Sequence, residues 1–285
     1  MRDLSNRLDL CAINTATLGF QAPIDKVIEA IARHGFGGIA PWRREVESGD
    51  VTAISRQIRD AGLKVTGYCR STYLPAATPA EFLANVEDNR RAIEDAATLG
   101  AHSFFMVVGS LPAGSKDIAG ARAQVAEGTA LLVEHARTAG VRIALEPLHP
   151  VYAADRSCLT TLAEALDLCE TIEPGHPSSP WLGTGLDVYH LWWDPLLPQQ
   201  IARAGASGRI FGFHVNDWLV PTRDVLDDRG MMGDGIIDIA AIRGRVEQAG
   251  YSGFVEVEIF SAVNWWRRSM DETLQVCGRR LSTVC

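Results

Sequence analysis

Short apolar runs alternate along the chain with longer stretches whose apolar residues recur at helical spacing. Candidate strands begin near Leu8, Gly37, Lys64, His102, Val141, Leu182, Ile210 and Gly253. Between them, residues 24–34 place Ile24, Val27, Ile28 and Ile31 on one helical face. Residues 79–99 do the same with Phe82, Leu83, Val86, Ile93 and Ala97, and residues 121–139 and 239–249 read as further helices. Glycine follows several helical stretches just before the next strand, at Gly35, Gly62, Gly100, Gly140 and Gly250, a helix-stop signal.

Strands that alternate with helices predict parallel βα units, and eight of them predict a single α/β domain over residues 1–285, a (β/α)8 TIM barrel. The competing architecture is a doubly wound open sheet, which carries a glycine-rich phosphate turn after its first strand. Here the first strand runs into Asn14-Thr15-Ala16-Thr17, which is no such turn. Residues 172–181, rich in Pro, Gly and Ser, and residues 218–238 exceed ordinary loop length. They are expected to give long βα loops after strands 6 and 7, the second acting as a lid.

Composition narrows the partners. With 285 residues and 47% hydrophobic content the chain has ample material for a large core. A net charge of −8 argues against a phosphate backbone, so no nucleic acid is expected. No apolar run reaches the roughly 20 residues of a membrane span, and the first residues are polar. The six cysteines form no Cys-x-x-Cys pair and read as free thiols, so a cytoplasmic location is expected.

Candidate chemistry lies at the ends of four runs. Residues 142–145 lead into Glu146, 183–186 into Asp187, 210–213 into His214 and 254–257 into Glu258. In a barrel these side chains converge at one mouth, and two Glu, one Asp and one His make a site for one divalent cation. Each has a plainer role: rim carboxylate for Glu146, helix cap for Asp187, satisfied core residue for His214. Four such residues on successive strands favour the metal site. Glu256 shares a face with Glu258, and is expected to pair with an arginine such as Arg142. Asp217 is expected either to orient His214 or to cap the turn that follows.

At these residues the chain resembles the xylose isomerase-like TIM-barrel superfamily of sugar phosphate isomerases and epimerases, and most the ketose 3-epimerase and inosose dehydratase branch. The resemblance spans nearly the whole chain. It implies that Glu146, Asp187, His214 and Glu258 ligate Mn²⁺ or a similar ion, and that barrels of this kind form dimers or tetramers. It implies substrate contacts for His190, in Asp187-x-x-His190, and for Arg229, ahead of a glycine turn. Met232 stands where the family has Pro, and the segment from His214 to Arg229 is longer than in simple ketose epimerases. Both departures bear on the substrate. The ligand set accepts Mg²⁺, Co²⁺, Fe²⁺ or Zn²⁺ as well.

The expected reaction is sugar isomerisation or epimerisation: a proton is abstracted beside a carbonyl, through a metal-bound enediolate. Glu146 and Glu258 would move the proton, while His190 and Arg229 polarise the carbonyl oxygen. The alternative is a dehydratase or lyase that expels a β-leaving group from a keto-sugar, inosose or keto-glycoside, with His149 as the extra acid. Trp42 and Arg70, after strands 2 and 3, are further substrate-binding candidates, with the neighbouring Arg43 and Arg44, and the arginines equally suit surface ion pairs. The doublets Trp192-Trp193 and Trp265-Trp266 suit either a pocket wall or a subunit contact. A nuclease of the same barrel type would need more His ligands and a basic surface. A non-catalytic sugar-binding barrel would have no reason to line four strand ends with ligands.

Overall fold

A computed structural model describes residues 1–175 and 179–285. Its strands are β1 (Cys11–Asn14), β2 (Gly38–Ala40), β3 (Lys64–Val65), β4 (Ser103–Met106), β5 (Arg142–Leu145), β6 (Leu182–Asp187), β7 (Ile210–Val215) and β8 (Val255–Val257). They form one sheet in the order β3-β2-β1-β8-β7-β6-β5-β4, and every paired neighbour is parallel. The two outer strands then meet. The amide of His102 donates to Val65 O, that of Tyr68 to Ser103 O and that of Phe105 to Tyr68 O, each at 3.0 Å. These bonds close the sheet into the expected barrel and leave no open edge.

The helices are α1 (Ile24–Arg33), α2 (Arg43–Val46), α3 (Val51–Asp60), α4 (Pro79–Leu99), α5 (Ile118–Ala139), α6 (Leu162–Ile172), α7 (Val188–Leu191), α8 (Leu197–Ala206), α9 (Ile239–Gln248) and α10 (Met270–Thr283). Local chemistry sets their ends. Thr78 and Glu81 form a capping box at the start of α4, and Gly100 at φ 71° ends it. No helix among the described residues is long and apolar enough to cross a membrane. All six cysteines are buried and free.

Several details differ from the sequence reading. Residues 8–10 form a 3-10 turn, and β1 begins at Cys11, where burial becomes complete. The described residues 173–175 and 179–181 lie between α6 and β6, at the end of the barrel away from the strand C-termini, and so do not form a loop after strand 6. Residues 176–178 of that stretch lie outside the described residues. The chain after β6 instead turns at once into the single-turn α7. Residues 146–161, after β5, form a long βα connection that the sequence reading did not single out.

Residues 218–238 do fold over the mouth. The Asp217 carboxylate accepts the amides of Trp218, Gly233, Gly235 and Ile237 at 2.9–3.0 Å. Tyr189 Oη, at 3.0 Å, and Tyr152 Oη both donate to Val225 O. Asp217 therefore caps this loop and does not orient His214.

Inside the barrel the floor of the mouth is one aromatic ring. A Cβ added to Gly67, Gly185 or Gly212 would meet the Phe105 ring at 2.6, 2.4 and 2.4 Å. Glycine at these positions gives the ring its space. Phe105 is 1% exposed and stacks against His214, with ring centroids 4.7 Å apart. The layer above it is polar.

Candidate metal centre and substrate cavity

Glu146 directly follows β5, Asp187 ends β6, His214 lies near the end of β7 and Glu258 directly follows β8. Register sets Asp187 beside His214, and His214 beside Glu256. All four candidate ligands are buried, and one ligand atom from each lies within 4.8 Å of the others. His214 Nδ1 is 3.2 Å from Glu146 Oε1 and 3.8 Å from Glu258 Oε2. Neither ring nitrogen of His214 nor Glu146 Oε1 makes a hydrogen bond, although Nδ1 faces Glu146 and Nε2 faces Glu256 at ion-pair distance. Buried polar atoms are normally partnered, so orphaned N and O lone pairs aimed at one point fit a divalent cation.

A second set of residues holds these side chains in place. Glu256 Oε1 is 3.3 Å from His214 Nε2, and accepts from Asn14 Nδ2 at 3.2 Å. Its Oε2 accepts from Thr66 Oγ1 at 2.6 Å. Glu256 thus serves His214 rather than Arg142, whose guanidinium lies over the Phe211 ring. A carboxylate behind a ligating imidazole fixes its orientation and raises its basicity. Trp42 Nε1 donates to Asn14 Oδ1 at 2.7 Å and ties the cavity wall into the same chain.

Asp187 takes the capping role weighed for it and also faces the cluster. Its Oδ1 accepts the Tyr189 amide at 2.9 Å, which caps α7, and also Asn216 Nδ2 at 2.9 Å. Its Oδ2 accepts from Arg229 Nη1 at 2.8 Å. The same Nη1 donates to Glu258 Oε2 at 3.1 Å. Arg229 is buried between the Tyr189 and Phe260 rings, 4.6 and 4.7 Å from their centroids. Asn216, two residues past His214 on the same inward face, also donates to Glu258 O. The sequence reading missed Asn216 and Asn14; the period of two along the strand was the available signal.

His190 is 2% exposed, and its Nδ1 accepts the backbone amide of His149 at 3.2 Å. An amide can only donate, so the neutral ring carries its proton on Nε2. That nitrogen is 3.3 Å from Arg229 Nη2, which places two N–H donors side by side. The His149 ring itself packs against Trp218 and Trp193, with centroids 4.8 and 5.8 Å away.

Burial and crowding set the charges. Desolvation pushes His190 down to about 3, so it is neutral. Desolvation also pushes the Glu258 carboxyl up to about 8, reinforced by the neighbouring Glu146 charge and opposed by His214 and Arg229. For His214 burial acts downward, but the surrounding Glu256, Glu146 and Glu258 outweigh it and raise it to about 10. Asp187 is lowered: burial acts against ionisation, and Arg229, His190 and His214 overcome it. Without a cation the cluster thus keeps protons that a metal ion would displace.

A cavity of about 210 Å³ opens onto the cluster, lined among others by Trp42, Arg70, Glu146, His190, Arg229 and Glu258. His149 is not in its wall. Of the tryptophan doublets only Trp266 lines it; Trp192 packs on Trp218, and Trp193 donates to His190 O. A larger cavity of about 350 Å³ lies at the opposite end of the barrel, between Lys64, His102 and Tyr251. Of the four candidate ligands, none lines it.

Fold and site together define a parallel (β/α)8 barrel whose strand C-termini carry a cluster able to hold a metal ion. The chain belongs to the xylose isomerase-like TIM-barrel family, whose model matches residues 28–276. A protein from Sinorhizobium meliloti 1021 is 48% identical, with 98% of this chain and 99% of that one covered and a TM-score of 0.94. The IolI protein, solved with a zinc atom, is 18% identical over 96% of this chain and 97% of its own, with a TM-score of 0.78. The 3-keto-D-glucoside 4-epimerase of E. coli is 18% identical over 96% and 97%, with a TM-score of 0.71. These last two likenesses show the fold alone. No curated protein matches the chain.

Proposed function

We propose that this protein is a divalent-metal-dependent sugar isomerase or epimerase that moves a proton on the carbon beside a carbonyl. The observation that carries this is the convergence of Glu146, Asp187, His214 and Glu258, with the Glu146 and His214 atoms that face the centre left unpartnered. These four residues would hold the ion. When bound, it supplies Lewis acidity to the substrate oxygens and offsets the buried carboxylate charge. Manganese is the expected ion, and the zinc atom of the IolI relative keeps Zn²⁺ in the test.

The chain's own residues would do the rest. Glu146 and Glu258 both line the cavity, where one takes the proton and the other returns it. The Nε2–H of His190 and the guanidinium of Arg229 present adjacent donors to the oxygen that gains charge. The aromatic ring of Trp42 walls the cavity, and Arg70 stands on its lining. The elimination alternative drew its acid from His149. That ring packs against Trp218 and Trp193 away from the cavity wall, which favours reprotonation over loss of a leaving group.

The test is metal content of the purified protein, followed by proton–deuterium exchange in D₂O across ketoses and keto-glycosides. About one ion per chain and exchange abolished by a chelator support the proposal. Absence of both metal binding and exchange overturns it in favour of a sugar-binding barrel.

A further inference from the structure

The rim of the cavity carries three arginines that make no hydrogen bond to a carboxylate among the described residues. Arg44, Arg70 and Arg156 line it, from the connections after β2, β3 and β5. Each guanidinium lies over an aromatic ring: Arg44 over Phe20 at 4.2 Å, Arg70 over Tyr73 at 4.7 Å and Arg156 over Tyr152 at 5.6 Å. Among the described residues, neither Arg44 nor Arg70 makes a hydrogen bond to a carboxylate. Arg156 lies 4.0 Å from its neighbour Asp155 and also acts on the Asp227 carboxylate, without a hydrogen bond to either among the described residues. Nearby arginines differ: Arg43 pairs with Asp88 and Glu47, and Arg223 with Asp228. Stacking on a ring fixes the plane of a guanidinium and leaves its edge of N–H donors free.

The charge balance points the same way. The lining holds Arg44, Arg70, Arg156 and Arg229 against Glu146, Glu258 and Asp227, with Asp187 behind them. A divalent ion on the cluster turns this cavity positive, in a chain whose net charge is −8. A volume of about 210 Å³ is at the small end of ligand cavities and suits a single monosaccharide-sized molecule.

We infer that the substrate is an anion: a monosaccharide-sized polyhydroxy carbonyl compound with a carboxylate or phosphate group, held by the forks of Arg44, Arg70 and Arg156 while its carbonyl end faces the cluster. This rests on the sugar reading above and adds the substrate class. Planar forks suit either oxyanion, and the experiment separates the two.

Isothermal titration would compare three six-carbon probes: D-fructose, 5-keto-D-gluconate and D-fructose 6-phosphate. Titrations use the protein as purified and again after manganese addition. A chain that binds no metal would sink the functional reading and would still report its anion preference. One anion should bind at least about tenfold tighter than fructose, and that anion names the oxyanion recognised. The R44Q/R70Q/R156Q variant should lose the preference. R56Q/R59Q/R245Q, which removes equal charge from helices α3 and α9, should keep it. Thermal unfolding confirms that both variants fold. Equal binding of all three probes, no measurable binding of either anion, or a preference that survives the rim variant or falls equally in the surface one overturns the inference.

Discussion

Two adjacent layers of the barrel interior share strands β6 and β7 and behave oppositely. The lower one is Phe105, seated against Gly67, Gly185 and Gly212. The upper one is Glu146, Asp187, His214 and Glu258, with Arg229 between two of them. Gly185 and Asp187 are two apart on β6, as are Gly212 and His214 on β7, so each pair shares an inward face. The lower layer gains from excluding water and filling space. The upper layer bears charge in a place where charge is costly, and so depends on a cation or on protons. One layer fills space, the other concentrates charge, and the stack of Phe105 on His214 joins them.

The largest expected effect lies in the upper layer. Glu258→Gln should lower exchange activity by about 10³-fold or more and weaken metal binding, with little change in folded structure. Near-normal turnover in the isotope assay would break the division of roles. Next, Phe105→Ala should cost about 3–5 kcal/mol in denaturant unfolding, since it empties the buried floor. If metal affinity instead collapsed while stability held, the two layers would not be separable as described.

Glu256→Gln sharpens the boundary. The carboxylate lies behind His214, so metal affinity should fall about 10–100-fold by competition titration, while unfolding changes much less. The smallest effect is in pH. In the metal-free protein Glu258, raised to about 8, and His214, raised to about 10, hold protons more tightly folded than unfolded. Their contribution is complete below the unfolded values of 4.5 and 6.5 and is lost as pH rises through 8 and 10. His190, lowered to about 3, acts in the other direction only below 6.5. Between pH 6.5 and 9 the metal-free Tm should therefore fall, and the gain in Tm on adding manganese should grow, by at most about 1.4 kcal/mol per pH unit for each proton displaced. A gain independent of pH would mean that the protons are not where the cluster places them.

The fold was legible because a βα repeat writes itself as alternating periods. The starts of the candidate strands fall within three residues of those observed, and Gly35, Gly62, Gly100, Gly140 and Gly250 all take positive φ. The four cluster residues were legible because each stands at the end of an apolar run. The support of the site was not. Glu256 was visible as an inward carboxylate, yet its partners Asn14, Thr66 and His214 come from three other strands or their ends, and only the register unites them. Asp217 looked like a companion of His214, but adjacent residues on a strand face opposite ways from residues two apart, and its carboxylate turns to the loop amides instead. The floor was hidden too, since three separated glycines give no local sign that they serve one ring.

The loop held by Asp217 is pinched at its base. An antiparallel bridge joins Asp217 to Gly230, and the Asp217 carboxylate gathers the amides of Gly233, Gly235 and Ile237 beyond it. Residues 219–229 form a pouch above that neck, free at its near arm and anchored at its far one. Its far arm, residues 225–229, is tied to the segment after β8 and to Tyr152 and Tyr189, so changes of length confined to residues 219–224 should leave the ladder that carries His214 undisturbed.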